Sequence, residues 1–235
     1  MQTDLSTVKK ACKMFFDIGC REPNEQFGSI MSHTYSNSTF IYSNTENRIL
    51  DLTKDEDFKI FRLETFRHIN KCESVIGLYL MVNKPYRLLW LMEFQGILDK
   101  EDYSELMGDV WTTSENPNQD INVSLESVVE MFRSAIPQRL MNEKDFQKFI
   151  SIPETITLYR GVMDGHNPDG LSYTASKEKA LWFANRWNKS GELLTITVNK
   201  LDILAYFNTR NEDEYVVDVP GLKKKKKFKP KREPC

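Results

Sequence analysis

Thr155, Ile156, Thr157, Leu158, Tyr159, Arg160, Gly161 and Val162 form an apolar, β-rich run that ends in an arginine and a glycine. The pattern reads as a strand that delivers a cation to a loop. Pro153 stands just before it, and across that proline the hydrophobic period changes from near 3.6 to near 2. The expected fold class is therefore α+β, a helical N-terminal region packed against a strand-rich C-terminal core.

Working outward, the upstream chain reads as helices with one hairpin. A helix is expected over residues 5–18, with Val8, Ala11, Cys12 and Phe15 on one face and Gly19 as its stop, then a polar loop over 20–38. Residues 39–43 and 48–52 read as a hairpin, and 57–70 as a helix. Pro85 suits the first turn of a buried helix over 86–98, and Asp102 and Glu105 are placed like a capping pair for the helix carrying Tyr103, Leu106, Met107, Val110 and Trp111. After a polar loop over 112–122, Ser124 caps a helix that ends near Pro137, and a short helix surrounds Phe146 and Phe149. Downstream of the opening strand come Ser172, Tyr173 and Thr174, a helix over 177–187, a strand over 193–198, an apolar turn or helix over 201–207, and Glu212, Asp213 and Glu214 leading into Tyr215, Val216 and Val217. The organisation expected is a mainly helical region over 1–152, a core over 153–220 that includes the preceding helices, and a flexible basic tail over 221–235.

Composition narrows the functional classes. With 235 residues, 40% hydrophobic and 11% aromatic, the chain can bury a core and is not expected to be disordered. The net charge of -2 conceals a split, because residues 223–235 carry +7 and the remainder -9. Cys12, Cys20, Cys72 and Cys235 form no C-x-x-C pair and only three histidines are present, which argues against a zinc site or a disulfide framework and for a reducing, cytoplasmic setting. His33, His68 and His166 sit in unrelated contexts and receive no chemistry. The first ten residues are polar, so no secretory signal is expected, and the most apolar window, 75–92, is interrupted by Asn83, Lys84, Pro85 and Arg87, so no membrane span is expected.

Arg-Gly, then Ser-x-Thr, then Glu-x-Glu, each on or beside a strand and with an Ala-x-x-Phe-Ala helix after the second, resembles the Arg-Ser-Glu class of ADP-ribosyltransferases. The resemblance covers about the last third of the chain. It implies an ADP-ribosyltransferase-like, β-sandwich-like core and mono-ADP-ribosyl transfer from NAD, as co-substrate, to a protein arginine or a nucleic-acid base, with no metal. By that resemblance Arg160 binds the phosphate and ribose region of NAD, the Gly161 backbone pairs with the carboxamide, Ser172 holds Glu214, and Thr174 and Phe183 complete the binding site. Glu214 grips the ribose and stabilises the cation that forms as nicotinamide departs, and Glu212 orients or deprotonates the acceptor. The chemistry agrees with these residue types: an oxocarbenium-like state needs an anion nearby, and a pyrophosphate is best held by a guanidinium fork. Strand alternation is expected to place Glu212 and Glu214 on one face and turn Asp213 away. Only eleven residues separate Arg160 from Ser172, so no helix fits between them and the upstream helices are expected to wall part of the NAD cleft. Family habit further implies a toxin or effector in conflict between bacteria and phages, with an antitoxin or inhibitor protein as a partner. Two other readings compete: a non-catalytic adaptor that binds RNA or DNA through the lysine tail, and an NAD glycohydrolase that uses water as acceptor.

Overall fold

A computed structural model describes residues 2–18, 33–114, 117–186 and 191–234, which form two compact units, Met1–Tyr103 and Ser104–Cys235. Gly19, the loop up to residue 32, and Trp187 lie outside the described residues.

In the first unit, α1 (Leu5–Phe16) is capped by Asp4, whose carboxylate accepts from the Ser6 N–H at 3.0 Å. It buries Val8, Cys12, Phe15 and Phe16. The expected hairpin is present as β1 (Phe40–Ser43) paired antiparallel with β2 (Arg48–Asp51), turning through Asn47 at a φ of 51°. α2 (Asp55–Lys71) follows. The apolar window then holds α3 (Val75–Met81), capped by the Ser74 hydroxyl and not expected from the sequence, and α4 (Arg87–Phe94), a shorter form of the helix expected over 86–98; a 3-10 turn over Lys84–Tyr86, in which Pro85 sits, separates them. Phe16 is the hub of an aromatic cluster. Its ring lies 4.4 Å from that of His33, and Tyr35, Phe58, Phe61 and Phe66 surround it at 5.3–5.7 Å. Burial among these rings pushes the His33 imidazole down to about 4, so it packs as a neutral side chain.

α5 (Lys100–Thr113) is capped by Asp99, which accepts from the Glu101 and Asp102 N–H groups at 2.8 and 2.9 Å; the capping residue is thus Asp99 and not Asp102. From Ser104 onward the chain belongs to the second unit, so the rest of α5 is grouped with α6 (Leu125–Ser134), α7 (Pro137–Leu140), α8 (Glu143–Ile150) and the sheet. Ser124 caps α6 as expected, accepting from the Ser127 N–H at 3.1 Å.

The second unit is built on one antiparallel sheet of six strands: β3 (Thr155–Met163), β4 (Ser172–Thr174), β5 (Gly191–Asn199), β6 (Ile203–Phe207), β7 (Glu214–Val217) and β8 (Lys231–Pro234), in the order β6-β7-β4-β3-β5-β8. The helices include α9 (Lys177–Ala184), between β4 and β5, and α10 (Val219–Lys224), after β7. The architecture is α+β, and the described strands of the second unit are joined in one sheet in which a single register pair links β3 to β4. The apolar run over 201–207 is a strand preceded by a 3-10 turn at Lys200–Asp202, and every residue of β6 is buried, which explains a run with no alternation. α9 lies directly on β3. A Cβ at Gly161 would come within 1.9 Å of the Ala180 carbonyl oxygen, so only glycine permits this approach.

The basic C-terminal stretch is not the loose tail expected. Asp218 caps α10, which contains Lys223 and Lys224, and β8 adds to the free edge of β5 in register from Glu192↔Pro234 to Thr195↔Lys231. Ion pairs bind it to the fold: Lys223 with Asp169, Lys225 with Asp202 at 3.2 Å, and Arg232 with Glu192 at 3.3 Å. Acidic partners elsewhere in the unit thus hold a run that cannot build a core of its own. Among the described residues, no helix is long and apolar enough to cross a membrane.

Candidate active site

The sheet order sets β7, β4 and β3 side by side, so the three motifs, the third some forty residues beyond the second, come from three neighbouring strands. With strands about 4.8 Å apart, the outer two are separated by roughly 10 Å, within the reach of one small molecule. Arg160, Gly161, Ser172, Thr174, Phe183, Glu212 and Glu214 all line one cleft of about 230 Å3.

Register explains the grouping. Thr174 pairs with Glu214 across β4 and β7, and side chains directly opposite in an antiparallel pair share a face, as do residues two apart on one strand. Ser172, Thr174 and Glu214 therefore project to the same side. β3 and β4 form a single register pair, Tyr159↔Thr174. At the next residue of β3 the Arg160 guanidinium bridges the two strands, donating from Nη1 to the Ser172 carbonyl at 2.9 Å and from Nη2 to the Asn167 carbonyl at 3.1 Å. Gly170 makes room for it, since a Cβ there would lie 2.3 Å from Nη2.

Glu214 is the chemical centre. It is 7% exposed, and its Oε1 accepts from the Trp111 indole N–H at 3.0 Å. Burial raises its pKa above the ordinary glutamate range, and the charge of Glu212 adds to the rise, while hydrogen bonds from Ser172 and Trp111 and the charge of Arg210 oppose it. An indole N–H only donates, so Oε1 is the acceptor in this contact. Asn118 fixes the serine in turn. Its Nδ2 donates to Ser172 Oγ at 2.8 Å and its Oδ1 accepts from the Leu171 N–H at 2.6 Å. Since Ser172 Oγ accepts from Asn118, its own hydrogen is directed to Glu214.

Several expected roles change in detail. Glu212 and Glu214 share the cleft, but Glu212 precedes the strand, and the turn is made by Asp213 at a φ of 53° and not by strand alternation. Asp213 does not line the cleft; Tyr206 donates to one carboxylate oxygen at 2.8 Å and Thr174 Oγ1 to the other at 3.4 Å. Thr174 Oγ1 accepts from the Ser176 N–H at 3.2 Å, so it positions the start of α9. Arg160 spends two nitrogens on backbone carbonyls, and its buried Nε carries no hydrogen bond, as does the hydroxyl of Tyr173 beside it. Burial pulls the Arg160 pKa down, opposed by the charges of Tyr173, Glu214 and Asp169. Phe183 lines the cleft as expected, its ring 5.0 Å from that of Trp182 and edge-on to it.

Trp111 and Asn118 were not legible as site residues. Trp111 reads as one more apolar member of α5, and it does pack edge-on against Phe132 at 5.0 Å; Asn118 sits in a polar loop that forms a 3-10 turn over Pro117–Gln119. Asn118 lines the cleft together with Pro117 and Gln119 of the same 3-10 turn, where the upstream helices were expected to form the wall. Arg186, Arg210 and His166 also line the cleft, and Arg210 is tied to Glu212 at 3.3 Å. Among the described residues, no group of three or more His, Cys, Asp or Glu side chains is arranged to hold a metal ion. No protein-family model, curated protein or solved structure matches the chain.

Proposed function

We propose that the protein is a mono-ADP-ribosyltransferase that splits NAD and passes the ADP-ribose to a macromolecular acceptor. One observation carries the reading: Arg160, Ser172 and Glu214, from three separate motifs, lie on three adjacent strands and line the same cleft. Breaking a bond from ribose to a departing base develops positive charge on the sugar, and a carboxylate fixed in a low-dielectric wall stabilises that charge without reorganising. Glu214 meets the requirement. It is buried and held by donors from Trp111 and Ser172, with no lysine or arginine in ion-pair contact among the described residues.

The residues present also fit the dinucleotide. The Arg160, Arg210 and Arg186 side chains, which line the cleft, supply cationic charge for its phosphates, and Phe183 supplies an aromatic wall for its ring. Glu212, on the same wall, is available to take a proton from an attacking acceptor. Incubating the protein with labelled NAD and cell lysate, then digesting with protease or nuclease, tests the reading. Transfer predicts nicotinamide release with label on macromolecules, whereas label solely on free ADP-ribose would make the protein a glycohydrolase. No nicotinamide release at all would refute NAD cleavage.

A further inference from the structure

Two features of the second unit take no part in the cleft chemistry, and each adjoins a different element of the cleft wall. One is the lysine run, which the fold holds in place. Leu222 is buried, its carbonyl accepts from the Lys227 and Phe228 N–H groups at 2.8 and 3.2 Å, and Lys226 turns the chain at a φ of 55°. Lys223 pairs with Asp169, whose N–H donates to Asn167 Oδ1 at 2.9 Å, and Asn167 lines the cleft. Lys225 pairs with Asp202. Lys224, Lys226, Lys227 and Lys229 are exposed and have no acidic partner among the described residues. The other feature is Trp182 of α9, next to Phe183 in the cleft wall. Phe183 meets its ring edge-on at 5.0 Å and the Arg186 guanidinium lies 5.1 Å from its centroid, yet the residue is 59% exposed. An indole steadied by its neighbours and open to water offers a stacking face.

The two features call for one kind of ligand. Four uncompensated lysines within six residues attract a polyanion to this place alone, because the chain outside residues 223–235 carries a net charge of -9. An acidic peptide would satisfy the lysines but has no base to lay on Trp182, and the bases of a duplex are stacked on one another. A single strand offers phosphates and unpaired bases together. We propose that residues 224–229 and Trp182 form a docking surface for single-stranded nucleic acid, which lies across the cleft mouth with its phosphates on the lysines and a base on the indole. The docking does not depend on NAD cleavage; under the transferase reading it makes the bound strand the acceptor.

The test titrates the full chain, without NAD, into labelled single strands of about 12 nucleotides, RNA or DNA, and follows anisotropy and tryptophan quenching across a range of salt. Four phosphate contacts on a single strand predict a slope of log affinity against log salt of about -3. Changing Lys224, Lys226, Lys227 and Lys229 to Gln should flatten that slope toward zero, and changing the same four to Arg should keep it. Lys223 and Lys225 keep their ion pairs in both variants, so the melting curves should match wild type. W182A should weaken binding by about 10- to 100-fold with the slope unchanged, and W182F should keep most of the affinity. A slope that survives the Gln variant, an affinity indifferent to W182A, a duplex bound as tightly as the single strand, or a polyglutamate peptide that competes at equal charge overturns the proposal. Each of these results leaves NAD cleavage standing, whereas a chain that binds the strand and releases no nicotinamide loses the transferase reading alone.

Discussion

Two carboxylates, one in each unit, are equally shielded from solvent, Asp57 close beneath the surface and Glu214 deep, and they behave in opposite ways. Asp57, in α2, and Glu214, at the start of β7, are each 7% exposed. Asp57 accepts from Arg48 at 2.5 Å and from the Asp51 N–H at 2.8 Å, and these partners hold its pKa below the usual range. Glu214 is held by an indole and a hydroxyl, and burial lifts its pKa instead. A carboxylate matched by a guanidinium is a structural fastening. One desolvated beside a cleft, with only neutral donors in hydrogen-bond contact, is held ready for a positive charge that arrives with the reaction.

The largest effect is expected at the site itself. Glu214→Gln removes the anion and should lower nicotinamide release by about 100-fold or more. The glutamine oxygen still accepts from Trp111, so the fold should survive. A raised carboxyl pKa favours the folded state below the unfolded pKa, and that contribution is lost as pH rises through the folded value. E214Q should therefore gain stability relative to wild type as pH rises above the ordinary glutamate range, in thermal melts across pH. A loss of both stability and activity at neutral pH would mean that Glu214 fastens the fold as Asp57 does.

Trp111→Phe comes next. It keeps the ring packed on Phe132 but removes the N–H that favours the charged carboxylate. One hydrogen bond to a charged group is worth about 1.5–3 kcal/mol, so NAD cleavage should fall by about 10- to 100-fold. The Glu214 pKa should rise further, moving the acid limb of the pH–rate profile upward. An unmoved acid limb would assign Trp111 to packing alone.

How much of this contrast was legible in the sequence depends on where each signal lies. Arg160, Ser172 and Glu214 could be found because each sits on a short β-rich run whose composition announces a strand, and strand order then brings them together. The helices around Val8, Phe61 and Val128 were equally legible, since a single buried face repeats at helical spacing. The partners of Glu214 were not. The contact from Trp111 to Glu214 spans 103 residues and uses one N–H of a side chain whose burial already accounts for its presence. The fate of the lysine run was hidden for a related reason: its docking depends on Asp169, Asp202 and Glu192, acids that show no pattern along the chain. Long-range polar contacts leave no periodicity to read.

Asn118→Asp tests the direction of the hydrogen-bond chain with a smaller effect. The aspartate retains an oxygen for the Leu171 N–H but cannot donate to Ser172, so the serine hydroxyl would turn its hydrogen toward residue 118 and away from Glu214. Losing one such bond should lower NAD cleavage by about 2- to 10-fold. Ser172→Ala should give a similar loss, and the double variant should lose no more than either alone, because both act on one bond to Glu214. Additive losses would separate Asn118 from the serine.

The smallest effect on turnover, and the sharpest use of the contrast, is Asp57→Asn. NAD cleavage should not change, because Asp57 lies in the unit that holds none of the cleft residues. Stability should change, with the opposite pH dependence to E214Q. A depressed pKa contributes stability above the unfolded value, about 4 for an aspartate, and the contribution is lost as pH falls through the folded value. D57N should therefore melt below wild type at neutral pH, with the two curves converging in acid, whereas E214Q and wild type diverge as pH rises. If the two variants instead changed stability with the same slope, the difference between a guanidinium-matched carboxylate and one held by neutral donors would not be the physical distinction that sets the cleft apart.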